Sequence, residues 1–265
     1  MDEANAPSAT TDYPGIPIEH RGSVLRPLKA SEVLARSLVR DIRTRQLNPG
    51  DSLESESDML KKYGVSRESL REGLRLLEVQ GMISIRRGPG GGPVVGTVDP
   101  ANLGRMQALF FHLAGATYQE LFDAWVLAES TLARLAAGNE DADLRTRVMA
   151  PYLDGDAHMD EHQDLEVYVQ GHGGFHSAVA SLADNKVLEV TFRSYGLIVG
   201  HHIATVGDPR SIRKALVDDH IRLASAIQAG NRDLAAGLMD EHLRQVIATS
   251  QEQLKDLVTG PIEWL

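Results

Sequence analysis

The sequence predicts a mainly α protein built from two parts. The first part is a helix-turn-helix followed by a β-hairpin, and the second is an all-α bundle of antiparallel helices. Two capping patterns separated by a short glycine turn, within residues 55–77, predict the helix-turn-helix. An alternating apolar segment with a glycine-rich turn, residues 82–95, predicts the hairpin. From Ala101 onward the apolar residues recur with helical period, which predicts the bundle.

Composition limits the class of protein. The chain has 265 residues, of which 42% are hydrophobic and 24% charged, enough for one large domain or two small ones. No apolar run approaches the length of a membrane-spanning helix, about 18 residues. The absence of cysteine excludes disulfides, a thiol nucleophile and cysteine-held zinc, so any metal is held by His, Asp or Glu. Residues 1–22 lack a signal-peptide pattern and predict a disordered tail, and we expect a cytoplasmic protein without membrane contacts.

The charge is distributed unevenly along the chain. The formal net charge is −10, but residues 27–96 carry 12 Lys and Arg against 9 Asp and Glu. The remainder of the chain carries 15 basic against 28 acidic residues. A mildly basic segment that precedes a strongly acidic one indicates a nucleic-acid-binding module joined to a second domain.

Local signals place the elements of the first part in order. Apolar side chains four residues apart predict a first helix over residues 30–45. Ser55 is placed to cap a second helix, and Gly64 to end it in a left-handed conformation. Ser66 can cap a third helix, which Gly81 ends. A helix, a helix-turn-helix and then a hairpin is the order of a winged helix.

The second part is divided by breaks in the helical pattern. These breaks predict six or so antiparallel helices. They lie near Gly115, Gly138, Pro151–Asp156, Gly171–Gly174, Gly207–Pro209 and Gly230. The predicted organisation is a tail over residues 1–22, a winged helix over 23–98 and a helical domain over 101–255.

A cationic stripe runs along the third predicted helix. Arg67, Arg71 and Arg75 recur every four residues beside the leucine face of that helix. On a lone helix this stripe would be a solvated surface. On the second helix of a helix-turn-helix, an early arginine can reach guanine O6 and N7 in the major groove. Ser66, Ser69 and the helix N-terminus can hold phosphates.

These residues carry a family resemblance. The segment from Gly64 to Leu74, GVSRESLREGL, followed by Arg87-Gly88, resembles the GntR family of bacterial transcription regulators over roughly residues 28–96. The resemblance implies that Ser66, Arg67, Ser69 and Arg71 contact bases and phosphates, and that Arg87 and Gly88 contact the minor groove. One short recognition helix reads only a half-site, so we expect a homodimer on a palindromic double-stranded DNA operator.

Four histidines of the acidic part are spaced to converge. His220 lies ten residues before Gly230 and His242 lies twelve after it. If Gly230 is the turn of an antiparallel pair, both histidines lie about 15–18 Å from it, at 1.5 Å per residue. His172 and His176 are four residues apart and share a face of any helix there. The alternatives are a site for Zn²⁺ or a similar divalent ion, or hydrogen-bonded core histidines.

A second resemblance covers this part. The segments Phe175-His176, Asp219-His220 and Met239–Leu243 resemble the all-helical FCD domain, over about residues 115–245. That domain defines the FadR-type branch of the GntR family, in which an Asp and three His hold a divalent metal near the effector pocket. The matching ligands are His176, His220 and His242, and the Asp position is His172 here. The implied cofactor is Zn²⁺, with Ni²⁺ or Mn²⁺ as alternatives.

One further departure concerns the effector. Trp125 stands where many members of the family carry an effector-binding Arg. Core packing is one interpretation of this residue, and a wall of the effector pocket is the other. We predict a DNA-binding transcription regulator, a repressor, whose operator binding responds to a small-molecule effector, and no enzyme activity.

The competing class is a zinc-dependent hydrolase. His158, Glu161 and His162 fit the H-x-x-E-H pattern in which two histidines hold zinc and the glutamate activates water. So short a pattern is weak evidence in a chain with ten histidines, and a solvated segment between helices is the favoured interpretation.

Overall fold

The computed structural model describes residues 27–88, 91–154, 165–206, 213–254 and 260–263. It describes the backbone alone at residues 165–172, 202–206, 213–215 and 250–254. The chain divides between Leu103 and Gly104 into two compact units. The predicted tail, residues 1–22, lies outside the described residues.

The first unit is a winged helix, as predicted. Its elements are α1 (Ala30–Thr44), α2 (Glu56–Tyr63), α3 (Arg67–Val79), β1 (Ile83–Arg86) and β2 (Gly92–Val95). The predicted capping is confirmed, because Ser55 Oγ accepts from the Asp58 amide and Ser66 Oγ from the Ser69 amide. Gly64 ends α2 with φ +63°, the left-handed conformation that glycine adopts at little cost.

The core of this unit fixes the direction of α3. Its buried residues include apolar side chains from every element, among them Leu34, Leu38, Met59, Leu70, Leu74, Leu77, Ile83 and Val95. Helices α1 and α3 meet at Gly73, where a Cβ atom would lie 2.9 Å from Leu34 Cδ2 and 3.0 Å from the Ser31 carbonyl oxygen. Only glycine permits this approach, which presses the apolar face of α3 inward and leaves its arginine face outside.

The hairpin is antiparallel, with Ile83 opposite Val95 and Arg86 opposite Gly92. The turn before α2 adds backbone bonds to it, because Gly50 N–H donates to Val95 O and Leu53 N–H to Pro93 O. The wing is therefore joined by backbone hydrogen bonds to the segment between α1 and α2, and its apolar side chains pack in the core of the unit.

The second unit is a bundle of long helices. Seven α-helices are seen in the described part, against the six or so expected. They are α4 (Pro100–Ala114), which enters this unit at Gly104, α5 (Tyr118–Ala137), α6 (Ala142–Met149), α7 (Leu165–Leu182), α8 (Lys186–Val206), α9 (Arg213–Gln228) and α10 (Arg232–Leu254). Helix α5 is central, because it packs against α7, α8, α9 and α10.

One predicted break is wrong. Helix α7 continues through Gly171–Gly174, where the glycines were expected to interrupt it. Phe175 and Val179, which follow the glycines on this helix, are fully buried. Packing of these side chains outweighs the intrinsic cost of glycine in a helix, about 1 kcal/mol each. The breaks at Gly138 and Gly230 are confirmed, and Gly207–Pro209 lies outside the described residues.

The segment 260–263 belongs to this unit as well. Ile262 is buried, and its N–H donates to Ala116 O at 2.9 Å. Tyr118 N–H donates to Gly260 O, and His112 Nδ1 lies 2.8 Å from Ile262 O. The unit thus extends past residue 255, where the sequence analysis ended it. In the part of the chain that the structure describes, no helix is both long and apolar enough to cross a membrane.

Candidate DNA-binding surface and metal centre

Helix α3 separates an apolar face from a cationic one. Arg67, Arg71 and Arg75 are exposed, and none of them forms an ion pair with another described residue. Leu70 and Leu74 on the other face are buried. An exposed guanidinium that no neighbouring carboxylate neutralises is available for phosphate oxygens or base edges.

The first turn of α3 and the wing add further polar groups. Ser66 Oγ accepts from the Ser69 N–H at 3.1 Å and donates to Ser69 Oγ at 3.0 Å. Both hydroxyls are thus held at the exposed N-terminus of α3, which attracts anions through its dipole. Arg87 and Gly88 follow β1 and are exposed, and Gly88 has φ +99°, which favours glycine.

An ionic cluster holds α2 against α1. Lys62 Nζ lies 2.6 Å from Asp41 Oδ2 and 2.9 Å from Glu54 Oε1, and Arg45 also pairs with Glu54. The hydrogen bonds from Lys62 lower the pKa of Asp41 and of Glu54. Tyr63 donates to Asp41, and burial raises the pKa of Tyr63 to about 12. This cluster sets where α2 lies relative to α1.

The second unit brings three histidines together. His176 lies on α7, His220 on α9 and His242 on α10, and all three are buried. One nitrogen from each ring lies within 4.8 Å of the others. The ring centres of His220 and His242 are 5.0 Å apart, because α9 and α10 run antiparallel from the turn at Gly230. Three imidazoles that converge at this range suit a divalent ion of the zinc type.

Two carboxylates lie behind these histidines. His176 Nδ1 is 3.1 Å from Glu129 Oε2, and His242 Nδ1 is 3.4 Å from Asp219 Oδ2. With the proton on Nδ1, each ring donates to its carboxylate and keeps Nε2 as a lone-pair donor toward the cluster. Metal-binding histidines commonly have this arrangement, and the two negative charges offset the charge of a divalent ion. The residues present therefore fit a metal.

Burial also favours the ligating form of His242. Removal from water lowers the pKa of His242, which keeps the ring neutral. Phe175 stacks on His220 with ring centres 3.9 Å apart, which fixes the orientation of that imidazole. His172 is one turn before His176 on α7, but its side chain lies outside the described residues.

Trp125 lies beside this cluster. Its side chain is 4% exposed, and its ring centre is 6.2 Å from that of His176. Its Nε1 has no hydrogen-bond partner among the described residues. A purely core tryptophan normally satisfies its N–H, so the position beside the histidines is compatible with a pocket wall.

Sequence analysis assigned no role to Glu129 or Asp219. The available signals were a glutamate on the apolar face of α5 and an aspartate adjacent to His220. Neither signal indicates which histidine the carboxylate contacts, because in both cases the carboxylate and the histidine lie on different helices. The hydrolase residues His158, Glu161 and His162 lie outside the described residues.

Comparison with known families agrees with this architecture. Residues 30–91 match the family described as bacterial regulatory proteins, gntR family, and residues 120–245 match the FCD domain family. A winged helix joined to a helical domain of this kind defines a DNA-binding transcription regulator with a small-molecule effector. The chain belongs to the GntR family of bacterial transcription regulators and carries an FCD domain. The expectation of a regulator rather than an enzyme is confirmed.

Individual relatives cover most of the chain. The HTH-type transcriptional repressor NanR of Citrobacter rodentium is 25% identical over 84% of this chain and 87% of its own length. NanR of Escherichia coli K12 is also 25% identical, over 84% of this chain and 86% of that protein. The solved structure of a Streptococcus agalactiae GntR protein has the same fold, with a TM-score of 0.60 at 19% identity, over 83% of this chain and 99% of that one.

Proposed function

We propose that the protein is a cytoplasmic transcriptional repressor whose operator binding responds to an effector held at a metal in its FCD domain. The observation that carries this proposal is the buried cluster of His176, His220 and His242, with carboxylates behind two of the rings. We assign DNA binding to residues 23–98 and effector binding to residues 101–255. Repression is inferred from the NanR relatives, which are named repressors.

Helix α3 is assigned to the major groove. In this proposal Arg67 and Arg71 read base edges, Ser66 and Ser69 hold phosphates, and the wing residues Arg87 and Gly88 enter the minor groove. The assignment is supported by the exposure of these groups, all of which are exposed except the half-buried Ser69. Helix α3 has 13 residues and covers one half-site, so two copies related by two-fold symmetry bind a palindrome.

The three histidines are assigned as metal ligands, with His172 as a candidate fourth. We propose Zn²⁺ as the native ion, with Ni²⁺ and Mn²⁺ as alternatives for the test. When bound, the ion supplies a Lewis-acid anchor for an effector oxygen. Glu129 and Asp219 orient the rings, and Trp125 lies against the body of the effector. The effector changes DNA affinity because it binds one arrangement of the dimer better than another.

The test uses the full chain. Protein stripped with a chelator and then reloaded with one metal at a time is analysed for bound metal and used to select DNA fragments. We expect one metal ion per chain, and selected sites with two half-sites separated by one helical turn or a multiple of it. Single half-sites, or the absence of bound metal in every reloaded sample, would contradict the corresponding part of the proposal.

A further inference from the structure

A groove runs between α1 and α3 on the surface of the winged helix. Its volume is about 570 Å³. The buried Ala35 and Leu77 form its floor, and the exposed Leu28, Val39 and Leu76 line its sides. Apolar side chains that are grouped at the surface, rather than scattered singly, indicate a site of contact with another molecule.

Charged side chains of opposite sign border this groove. Arg36 lines it from α1. Glu72 lies on α3 one turn before Leu76, which places it on the same face of that helix. Arg36 and Glu72 are exposed, and neither forms an ion pair with another described residue. The α1 side of the groove thus offers a guanidinium, and the α3 side offers a carboxylate.

One further carboxylate lines the groove but is already used. Glu32 accepts a hydrogen bond from the Lys29 N–H at 2.9 Å and so caps the N-terminus of α1. It contributes to the start of this helix. The charges on which a partner can act are therefore those of Arg36 and Glu72.

These two charges determine which partner fits the groove. A nucleic acid or an acidic peptide would be attracted by Arg36 and repelled by Glu72, and a basic peptide would meet the reverse. A second copy of the chain carries both signs in the same arrangement. A two-fold axis along the groove places α1 of each copy over α3 of the other, so that each arginine meets a carboxylate.

We propose that this groove is a contact surface between the winged-helix units of two copies, in which Arg36 of each copy faces Glu72 of the other. Val39 and Leu76 then pack near the two-fold axis. Consecutive residues are about 100° apart around a helix, so the face with Glu72 and Leu76 is separate from the cationic stripe of α3. The contact leaves the DNA-binding face free. Its few apolar side chains make it weak, so it forms between copies that are already close, such as copies on one DNA.

The test uses the absence of cysteine from the chain, because a single introduced thiol then reports on this contact. Gln80→Cys places the thiol in the groove. Thr44→Cys is the matched control, exposed on a face of α1 away from the groove. The full chain without DNA is treated with a short bismaleimide, and the rate of covalent dimer formation is divided by the rate of labelling with N-ethylmaleimide.

We expect Gln80→Cys to crosslink about 10-fold faster than Thr44→Cys, because the contact raises the local concentration of the second thiol. Equal normalised rates for the two variants would overturn the proposal.

Charge reversal tests the pairing of Arg36 with Glu72. In the Gln80→Cys background, Arg36→Glu and Glu72→Arg should each lower the crosslinking rate about 10-fold, since the two-fold axis repeats every changed pair. Arg36→Gln, which removes the charge without reversing it, should lower the rate about 3-fold. The protein with both reversals should crosslink as fast as Gln80→Cys alone, because each pair is restored with its signs exchanged.

The outcomes are distinct from those of the proposed function. Unchanged crosslinking in the single reversals, or a loss that the double reversal does not recover, overturns the proposed contact. Recovery in the double reversal excludes a DNA-binding role of Arg36 as the cause, because no DNA is present. Circular dichroism checks that each variant is folded. Zinc binding and operator selection are measured separately, so a failure here leaves the proposed regulator function intact.

Discussion

The winged-helix unit keeps its functional side chains on the surface, whereas the helical unit places them in its core. Arg67 and Arg71 are exposed above a core that is apolar apart from Ser31. In the helical unit, Glu129 and three histidines are buried among the described core residues. Function and stability are separable in the first unit, because its DNA-binding groups lose little water on folding. They are coupled in the second, because buried polar groups must be paired.

The largest effect is expected on the thermal stability of the helical unit, where function and stability are coupled. At a Zn²⁺ concentration of 100 times its Kd, binding stabilises the folded protein by about 2.7 kcal/mol, which raises Tm by about 5–10 °C. The His220→Ala variant should lose this zinc-dependent increase in Tm, because it lacks one of the three proposed metal ligands. Comparing Tm with and without Zn²⁺ in each variant cancels any change in intrinsic stability.

The matched control for that variant is His112→Ala, which changes a half-buried histidine of the same unit outside the cluster. It should keep the full increment. Operator binding is assigned to the first unit, so zinc-free His220→Ala should still bind DNA. Loss of DNA binding in this variant would contradict the assignment of the two functions to separate units.

Arg67→Ala tests the winged-helix unit, where function and stability are separable. We expect specific operator binding to weaken by about 1–3 kcal/mol, as for loss of one bidentate base contact, with Tm unchanged. Binding to operator and to random DNA is measured by fluorescence anisotropy at two salt concentrations. Arg40→Ala, which removes an equal charge from an exposed position on α1, is the control. Equal losses on both DNAs would exclude base reading by Arg67.

Glu129→Gln tests the buried site of the helical unit without removing a metal ligand. Glutamine retains the size of the side chain but loses the charge behind His176, so we expect zinc affinity to fall about 10- to 100-fold. Competition with a chromophoric chelator measures this change. Glu140→Gln is the exposed control in the same unit and should bind zinc normally. An unaltered zinc affinity in Glu129→Gln would mean that the carboxylate plays no part in the metal centre.

The smallest effect concerns the surface ions of the winged helix. Because Lys62 lowers the pKa of Asp41 and Glu54, the folded state favours their ionised forms. Their stabilisation is present above the unfolded pKa values, about 3.9 and 4.3, and is lost as the pH falls through the lower folded values. We expect about 1 kcal/mol or less, since these side chains are partly exposed.

Lys62→Met should remove this pH dependence, which hydrogen exchange of the α2 amides at pH 3 and pH 6 can measure. The ratio of variant to wild-type rates at each pH cancels the intrinsic exchange rate. Lys61→Met, an exposed neighbour without these partners, should behave as wild type. If the ratio of variant to wild-type exchange rates is the same at both pH values, the ionic cluster does not contribute to the pH dependence of stability.

Local chemistry made the first unit predictable. The caps at Ser55 and Ser66 and the left-handed Gly64 depend on neighbours within four residues, and the structure has each of them. The approach of His220 to His242 was also accessible, because equal distances from the Gly230 turn place them at one height in an antiparallel pair. The continuity of α7 through its glycines could not be predicted from the sequence, since it depends on the burial of Phe175.

The sequence alone determined the order of elements, the cationic face of α3 and the residue types available for a metal, because these follow from neighbours and helical period. Only the tertiary structure decided that Glu129 meets His176, that Asp219 meets His242 and that Trp125 faces Gly196. Each of these pairs joins two different helices, and the pairs that involve α5 join helices that are not consecutive in the chain. Their contact depends on how α5 packs against α7 and α8, and α9 against α10, and packing of that kind leaves no local pattern in the chain.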